Sequence, residues 1–172
     1  MRQMSTQSLL SKYRQQGILV DTNILLLWFV GQVNRRRIST FKRTQKYNPE
    51  DYSLLLNILD GFQQVVTTPH ILTEVNSLIN QIQEPERSRC MALFELFLAS
   101  QPEHLPKMEE FYTKSLTLTA SPAFQRFGLA DSSILDLAQG KYLVLTDDLK
   151  LFVHLQSHGV DAINFTHLRN LP

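Results

Sequence analysis

The stretch Ile18-Leu19-Val20, opened by Gly17 and closed by Asp21-Thr22-Asn23, constrains the chain more than any other. Three apolar residues in a row, without the polar alternation of a half-exposed strand, suit a strand covered on both faces, as in a parallel sheet between helices. An acid stands where that strand ends. Val65-Val66-Thr67, residues 116–119, residues 142–146 and residues 160–165 read as further short strands. Between them the spacing predicts helices over 24–31, 50–62, 71–82, 86–100, 129–139 and 149–158. Thr68-Pro69 caps and opens the third of these. In the fourth, Leu93, Leu96 and Phe97 are expected to face inward, and Gly140 should stop the fifth. Strands alternating with helices imply a three-layer α/β/α sandwich around a central parallel sheet of four to five strands.

With 172 residues and neither repeat nor linker, 1–172 reads as one domain: residues 1–16 precede the first strand as an extension, and 31–61 hold a basic insertion plus a helix. Cys90 is the lone cysteine, which excludes a disulfide framework and suits a reducing, cytoplasmic setting. The polar start lacks a signal-peptide core, and the apolar run 24–30 falls far short of the roughly 20 residues that cross a bilayer. No membrane partner is expected. A formal net charge of +1 decides nothing, so charge must be read locally.

In a parallel α/β sheet, the carboxyl ends of strands and the amino ends of the following helices share one edge, where sites form. Asp21 follows the first strand, Glu74 lies early in the helix after the second, Asp131 opens the helix before the strand at 142–146, and Asp147-Asp148 follow that strand. At about 100° per residue, Asp131 falls within the apolar stripe of Ile134, Leu135, Leu137 and Ala138, whereas Asp136 points away. Glu74 sits at the border of the stripe of Ile71, Val75, Leu78 and Ile82. Each acid also has an ordinary reading: Asp131 at a positive helix end, Asp147 or Asp148 as an N-cap, Asp21 in a turn, Glu74 paired with an arginine. Those readings leave the convergence unexplained. No lysine or arginine stands in these motifs to neutralise the group, so hard divalent cations, Mg²⁺ or Mn²⁺, are the economical solution.

Val20-Asp21-Thr22-Asn23-Ile24-Leu25, Thr68-Pro69-His70-Ile71-Leu72-Thr73-Glu74-Val75, Gly128-Leu129-Ala130-Asp131-Ser132-Ser133-Ile134 and Leu143-Val144-Leu145-Thr146-Asp147-Asp148 resemble, in order, the four motifs of the PIN-domain family. The resemblance covers most of residues 17–165. It implies a metal-dependent endoribonuclease that hydrolyses RNA phosphodiester bonds, with Asp21, Glu74 and Asp131 as metal ligands. The family's spacing selects Asp148 as the fourth acid, with Asp147 the alternative, and Asn23 and Thr146 would position ligands or water. Bound cations would activate a water, align it with the phosphodiester and shield the developing charge.

An acidic site must still attract a polyanion. The segment 34–46 carries Arg35, Arg36, Arg37, Lys42, Arg43 and Lys46 and no acid, with Phe41 and Tyr47 available to stack on bases; it reads either as an RNA-binding arm or as a solvated face. Rival functions stay open. A PIN-like scaffold could bind RNA or protein without cutting. A haloacid-dehalogenase-type phosphohydrolase wants a second Asp where Asn23 stands. The nuclease could also be the toxin of a toxin–antitoxin pair, held by an inhibitory protein, and could pair as a homodimer. Serine-hydrolase chemistry lacks a Gly-x-Ser-x-Gly, and His104 and His167 have no nucleophile motif. Gly140-Lys141-Tyr142 is no phosphate loop. His154 and His158, four apart, lack a third ligand.

Overall fold

The computed structural model describes residues 5–99 and 107–169. Ser100, the expected end of one helix, and His104 lie outside them. In chain order the elements are α1 (Thr6–Tyr13), β1 (Ile18–Val20), α2 (Thr22–Val33), a 3₁₀ turn (Arg35–Arg37), α3 (Pro49–Asp60), β2 (Gln64–Thr67), α4 (Pro69–Ile79), α5 (Glu86–Ala99), β3 (Lys107–Glu110), α6 (Ser115–Thr119), α7 (Phe124–Ala138), β4 (Leu143–Thr146), α8 (Leu149–Ser157), β5 (Ala162–Asn164) and α9 (Phe165–Arg169). The five strands form one parallel sheet in the order β3-β2-β1-β4-β5, flanked by helices as an α/β/α sandwich.

β1 is the middle strand, and Ile18, Leu19 and Val20 are fully buried, as a run apolar on both faces requires. The chain builds outward from β1 to β2 and β3, then returns to β4 on the other flank. That reversal between β1 and β4 is the switch point where parallel α/β folds open a crevice at the strands' carboxyl ends. α2 has no polar face at all. Its residues from Ile24 to Val30 are buried because α3, α4 and α5 all pack on it. The aromatic contacts Trp28–Phe97 and Phe29–Phe94 lock α5 onto it, with centroids 4.5 and 5.2 Å apart. Gly31 permits the approach of α3, since a Cβ there would lie 2.3 Å from the Tyr52 ring.

Helix termini follow the local chemistry. The Asn48 side chain accepts from Asp51 N–H while the Asp51 carboxylate accepts from Asn48 N–H, with Pro49 opening α3. Thr68 caps α4 ahead of Pro69. Gly140, at φ 70°, follows the end of α7 as expected. α1 extends the fold backward: Leu9 and Tyr13 are buried, and Lys12 and Tyr13 both donate to Asp161, ahead of β5.

Two expectations are corrected, and one strand is added. Residues 116–119 form helical α6, not a strand, with Leu116 exposed and Leu118 buried. Their alternating Leu-Thr pattern has no sheet position to occupy, because Lys107–Glu110 takes the place beside β2. That β3 edge escapes a hydrophobic search because only Met108 is buried; charged edge strands discourage further pairing. Leu96 is 48% exposed, not inward: the buried line of α5 runs through Cys90, Phe94 and Phe97 at i, i+4 and i+7. Among the described residues no helix is long and apolar enough to cross a membrane.

Candidate metal centre

β1 and β4 end side by side, and Asp21 N–H donates to the Leu145 carbonyl at 3.0 Å, extending the ladder to the first acid. The Asp21 carboxylate turns back into the structure. One oxygen accepts from Ile24 N–H at 2.9 Å and so caps α2; the other accepts the Thr146 hydroxyl and the Asp147 N–H, the latter at 3.2 Å. Asp21 is only 3% exposed. Burial, reinforced by the charge of Asp147, pushes its pKa up to about 7 even against these hydrogen bonds. A buried anion at this position invites a cation.

Asp131 approaches from α7. Gly128, at φ 79°, breaks the helix there and lets a fresh turn begin three residues before the acid. Ile134, Leu137 and Ala138 are buried on the same stripe, while Asp136 is exposed, as helical phase requires. Ser133 is fixed by a 2.7 Å hydrogen bond to Thr68, the cap of α4, so the two helices carrying Glu74 and Asp131 are held together at their amino ends. Asp131 makes no hydrogen bond within the described residues. Burial, with the charges of Asp148 and Glu74, pushes its pKa up to about 7.

Glu74 is exposed and is oriented by Thr22, whose hydroxyl donates to its Oε2 at 2.7 Å. Thr22 is not among the site residues the sequence points to; its place between Asp21 and Asn23 was the available signal. Asp148 caps α8, accepting from Lys150 and Leu151 N–H at 2.7 and 3.0 Å through a single oxygen, so its second oxygen is free while its charge acts on Asp131.

Asp147 is engaged differently. Its side chain is 2% exposed; Asn23 Nδ2 donates to it at 3.2 Å, Tyr47 donates its hydroxyl, and the Lys46 ammonium forms an ion pair with it. A cation therefore does reach this edge, although none stands in the four motifs. Burial and the Asp147 charge push the Tyr47 pKa upward, so its phenol stays a donor.

The basic segment is also not a free arm. Ile38, Phe41, Thr44 and Tyr47 are buried at intervals of three, and everything between them faces solvent. Successive turns hold it: Phe41 N–H to Arg37 O at 2.9 Å, Thr44 N–H to Phe41 O at 2.9 Å, Tyr47 N–H to Thr44 O at 2.9 Å, and Thr44 Oγ1 to Ile38 O at 2.9 Å. Phe41 and Tyr47 therefore cannot stack on bases as the sequence suggested; they belong to the core. The period-three pattern was the missed signal, hidden because helix and strand searches look for 3.6 and 2. Of the cations, Arg36, Lys42, Arg43 and Lys46 are exposed; Arg35 lies over the Tyr52 ring at 5.0 Å, and Arg37 is half-buried with an unpartnered Nε.

The donor chemistry fits a hard divalent ion: carboxylate oxygens without thiol or imidazole, and an unpartnered carboxylate in Asp131. As the side chains stand, no group of three or more His, Cys, Asp or Glu among the described residues is placed to hold a metal ion. A cavity of about 500 Å³ lies elsewhere, between α6, α7 and α8, and is lined by Arg126, Ser132, His154 and His158. The two imidazole centroids there are 4.2 Å apart. No protein-family model matches the chain, and no curated protein matches it.

Proposed function

We propose that the chain is a Mg²⁺- or Mn²⁺-dependent endoribonuclease that hydrolyses RNA phosphodiester bonds. One observation carries this reading. Asp131 is a half-buried carboxylate whose side chain has no hydrogen-bond partner among the described residues, its pKa raised by burial and by Asp148 and Glu74 beside it. An acid whose role is structural has its carboxylate fully engaged, as Asp147 does with Asn23, Tyr47 and Lys46; an acid left without any donor in a cluster of like charge suits a ligand position. Asp21, Asp131 and Glu74, with the free oxygen of Asp148, would hold the ion. When bound, it would supply Lewis-acid activation of water and charge shielding at the phosphate.

The chain's own contribution is orientation. Thr146 fixes Asp21, Thr22 fixes Glu74, and the Thr68–Ser133 bond fixes the helices behind Asp131. The test is cleavage of single-stranded and structured RNA with Mg²⁺ or Mn²⁺, comparing wild type with Asp21→Asn and Asp131→Asn. Both variants should lose activity by two orders of magnitude or more, on the order of 3 kcal/mol in the barrier; equal activity in all three proteins would sink the assignment. A second reading, an RNA-binding module without catalysis, is favoured by the absence of a gathered three-ligand group among the described residues. Binding without cleavage under every metal would select it.

A further inference from the structure

Within the nuclease reading, on which this inference rests, we infer that Lys46 is a phosphate-contacting residue of the site, placed there by Asp147 and Tyr47. Asp147 faces the same acid cluster as its neighbours but is occupied: Asn23, Tyr47 and Lys46 take its carboxylate, and its own N–H is given to Asp21. It acts as the anchor of the basic segment. α2 leaves the carboxyl edge of the sheet and α3 starts there again, so residues 34–47 climb back to that edge and deliver Lys46 at their top.

The delivery is over-determined. Tyr47 packs on Phe165 at 6.1 Å between centroids, and Arg169 lies 5.4 Å from the Tyr47 ring while donating to the Lys46 carbonyl at 2.8 Å and pairing with Asp51 at 2.9 Å. The backbone of Lys46 is thus clamped from α9 and α3. Its side chain keeps 52% of its surface in water, whereas its partner's keeps 2%. An ammonium has three donors; with half of its side chain in water, Lys46 keeps donors beyond those it gives to Asp147. They suit a phosphate of the bound strand next to the scissile one, which the carboxylates alone would repel. Lys42 and Arg43 of the same segment are also exposed, Arg43 donating to Gln81 at 3.0 Å, and the segment contains no acid. Lys46 is the member of the segment that pairs with an acid of this edge.

The test separates this role from the nuclease reading by measuring binding without metal. A fluorescent single-stranded RNA of about ten nucleotides is titrated in EDTA against wild type, Lys46→Gln, Lys46→Arg, Tyr47→Phe and Lys141→Gln, with salt varied. Lys141 is exposed at the opposite end of β4 and serves as the control. Lys46→Gln is expected to weaken binding three- to tenfold and to lower the slope of log K against log salt by about 0.7, one phosphate contact. Lys46→Arg should retain the slope, and Tyr47→Phe, which loosens the anchor, should fall between. Mn²⁺ affinity, measured separately by calorimetry on the RNA-free protein, should survive Lys46→Gln. Unchanged binding and slope in Lys46→Gln, or an equal loss in Lys141→Gln, would overturn the inference. Loss of Mn²⁺ affinity with RNA binding intact would also overturn it, making Lys46 part of the metal centre. A wild type that binds RNA but never cuts would refute the nuclease proposal while leaving the slope measurement decisive for Lys46.

Discussion

Thr146 donates its hydroxyl to the carboxylate of Asp21, joining two residues 125 apart in sequence at the reversal point of the sheet. The hydroxyl itself is orientated from the other side by Asp148 N–H, which donates to it at 3.0 Å. Backbone geometry at the end of β4 is therefore transmitted to the carboxylate at the end of β1. Such a bond steadies an anion that burial disfavours, and it pulls the Asp21 pKa down against the stronger upward push of desolvation.

Thr146→Val tests that link. It keeps the side-chain shape and removes one donor from a buried carboxylate, at a cost of about 1–3 kcal/mol. The Asp21 pKa should rise further, so the penalty should be larger at pH 8 than at pH 5, where the acid is already protonated. Urea unfolding at the two pH values checks this, and an equal loss at both would show that Asp21 is not the group affected.

Asp131→Asn should change the pH dependence of stability in a defined direction. A carboxyl whose folded pKa is raised binds its proton more tightly when folded. Stability is therefore fullest below the unfolded value near 4, falls as pH rises toward about 7, and stays reduced above it. Without metal, wild type should lose stability between pH 5 and pH 8, and Asp131→Asn should reduce that loss by roughly 1–3 kcal/mol. Millimolar Mg²⁺ or Mn²⁺ should raise the wild-type melting temperature at pH 8 but barely move the variant's. Calorimetry across both series reads the result.

Phe41→Ala separates core from binding surface. Phe41 is 6% exposed, so truncation should cost about 3–5 kcal/mol. At a concentration and temperature where the variant is still folded, RNA affinity should change little. A large affinity loss with stability preserved would return Phe41 to the role of a stacking residue.

Charge reversal should divide the basic segment into two classes. Arg36→Glu with Lys42→Glu lies on exposed positions and should weaken RNA binding and flatten its salt dependence by about two contacts, with stability within about 0.5 kcal/mol. Arg37→Glu reverses a half-buried charge that favours the Glu86 carboxylate, setting two acids against each other, and should destabilise by about 1–3 kcal/mol. Chemical denaturation beside anisotropy titration distinguishes the two.

Much of this was legible without coordinates, because short-range chemistry writes itself into local pattern. Ile18-Leu19-Val20 could only be a strand buried on both faces; Thr68-Pro69 announces a helix start; the phase of Asp131 against Ile134 and Ala138 turns it toward the core. The acids' common edge followed from strand–helix alternation alone. What tertiary structure decided were relations between distant segments. Which strands are neighbours placed β1 beside β4 and so Asp21 beside Thr146 and Asp147. The strand at Lys107–Glu110 exists because β2 offers it backbone partners, not because its residues favour burial. Asp147 and Asp148 are adjacent and chemically identical, yet one anchors Lys46 and Tyr47 while the other caps α8 and keeps an oxygen free. Motif spacing preferred Asp148, but the engagement of Asp147 could not be read locally, since it comes from a segment a hundred residues earlier folding back onto the same edge.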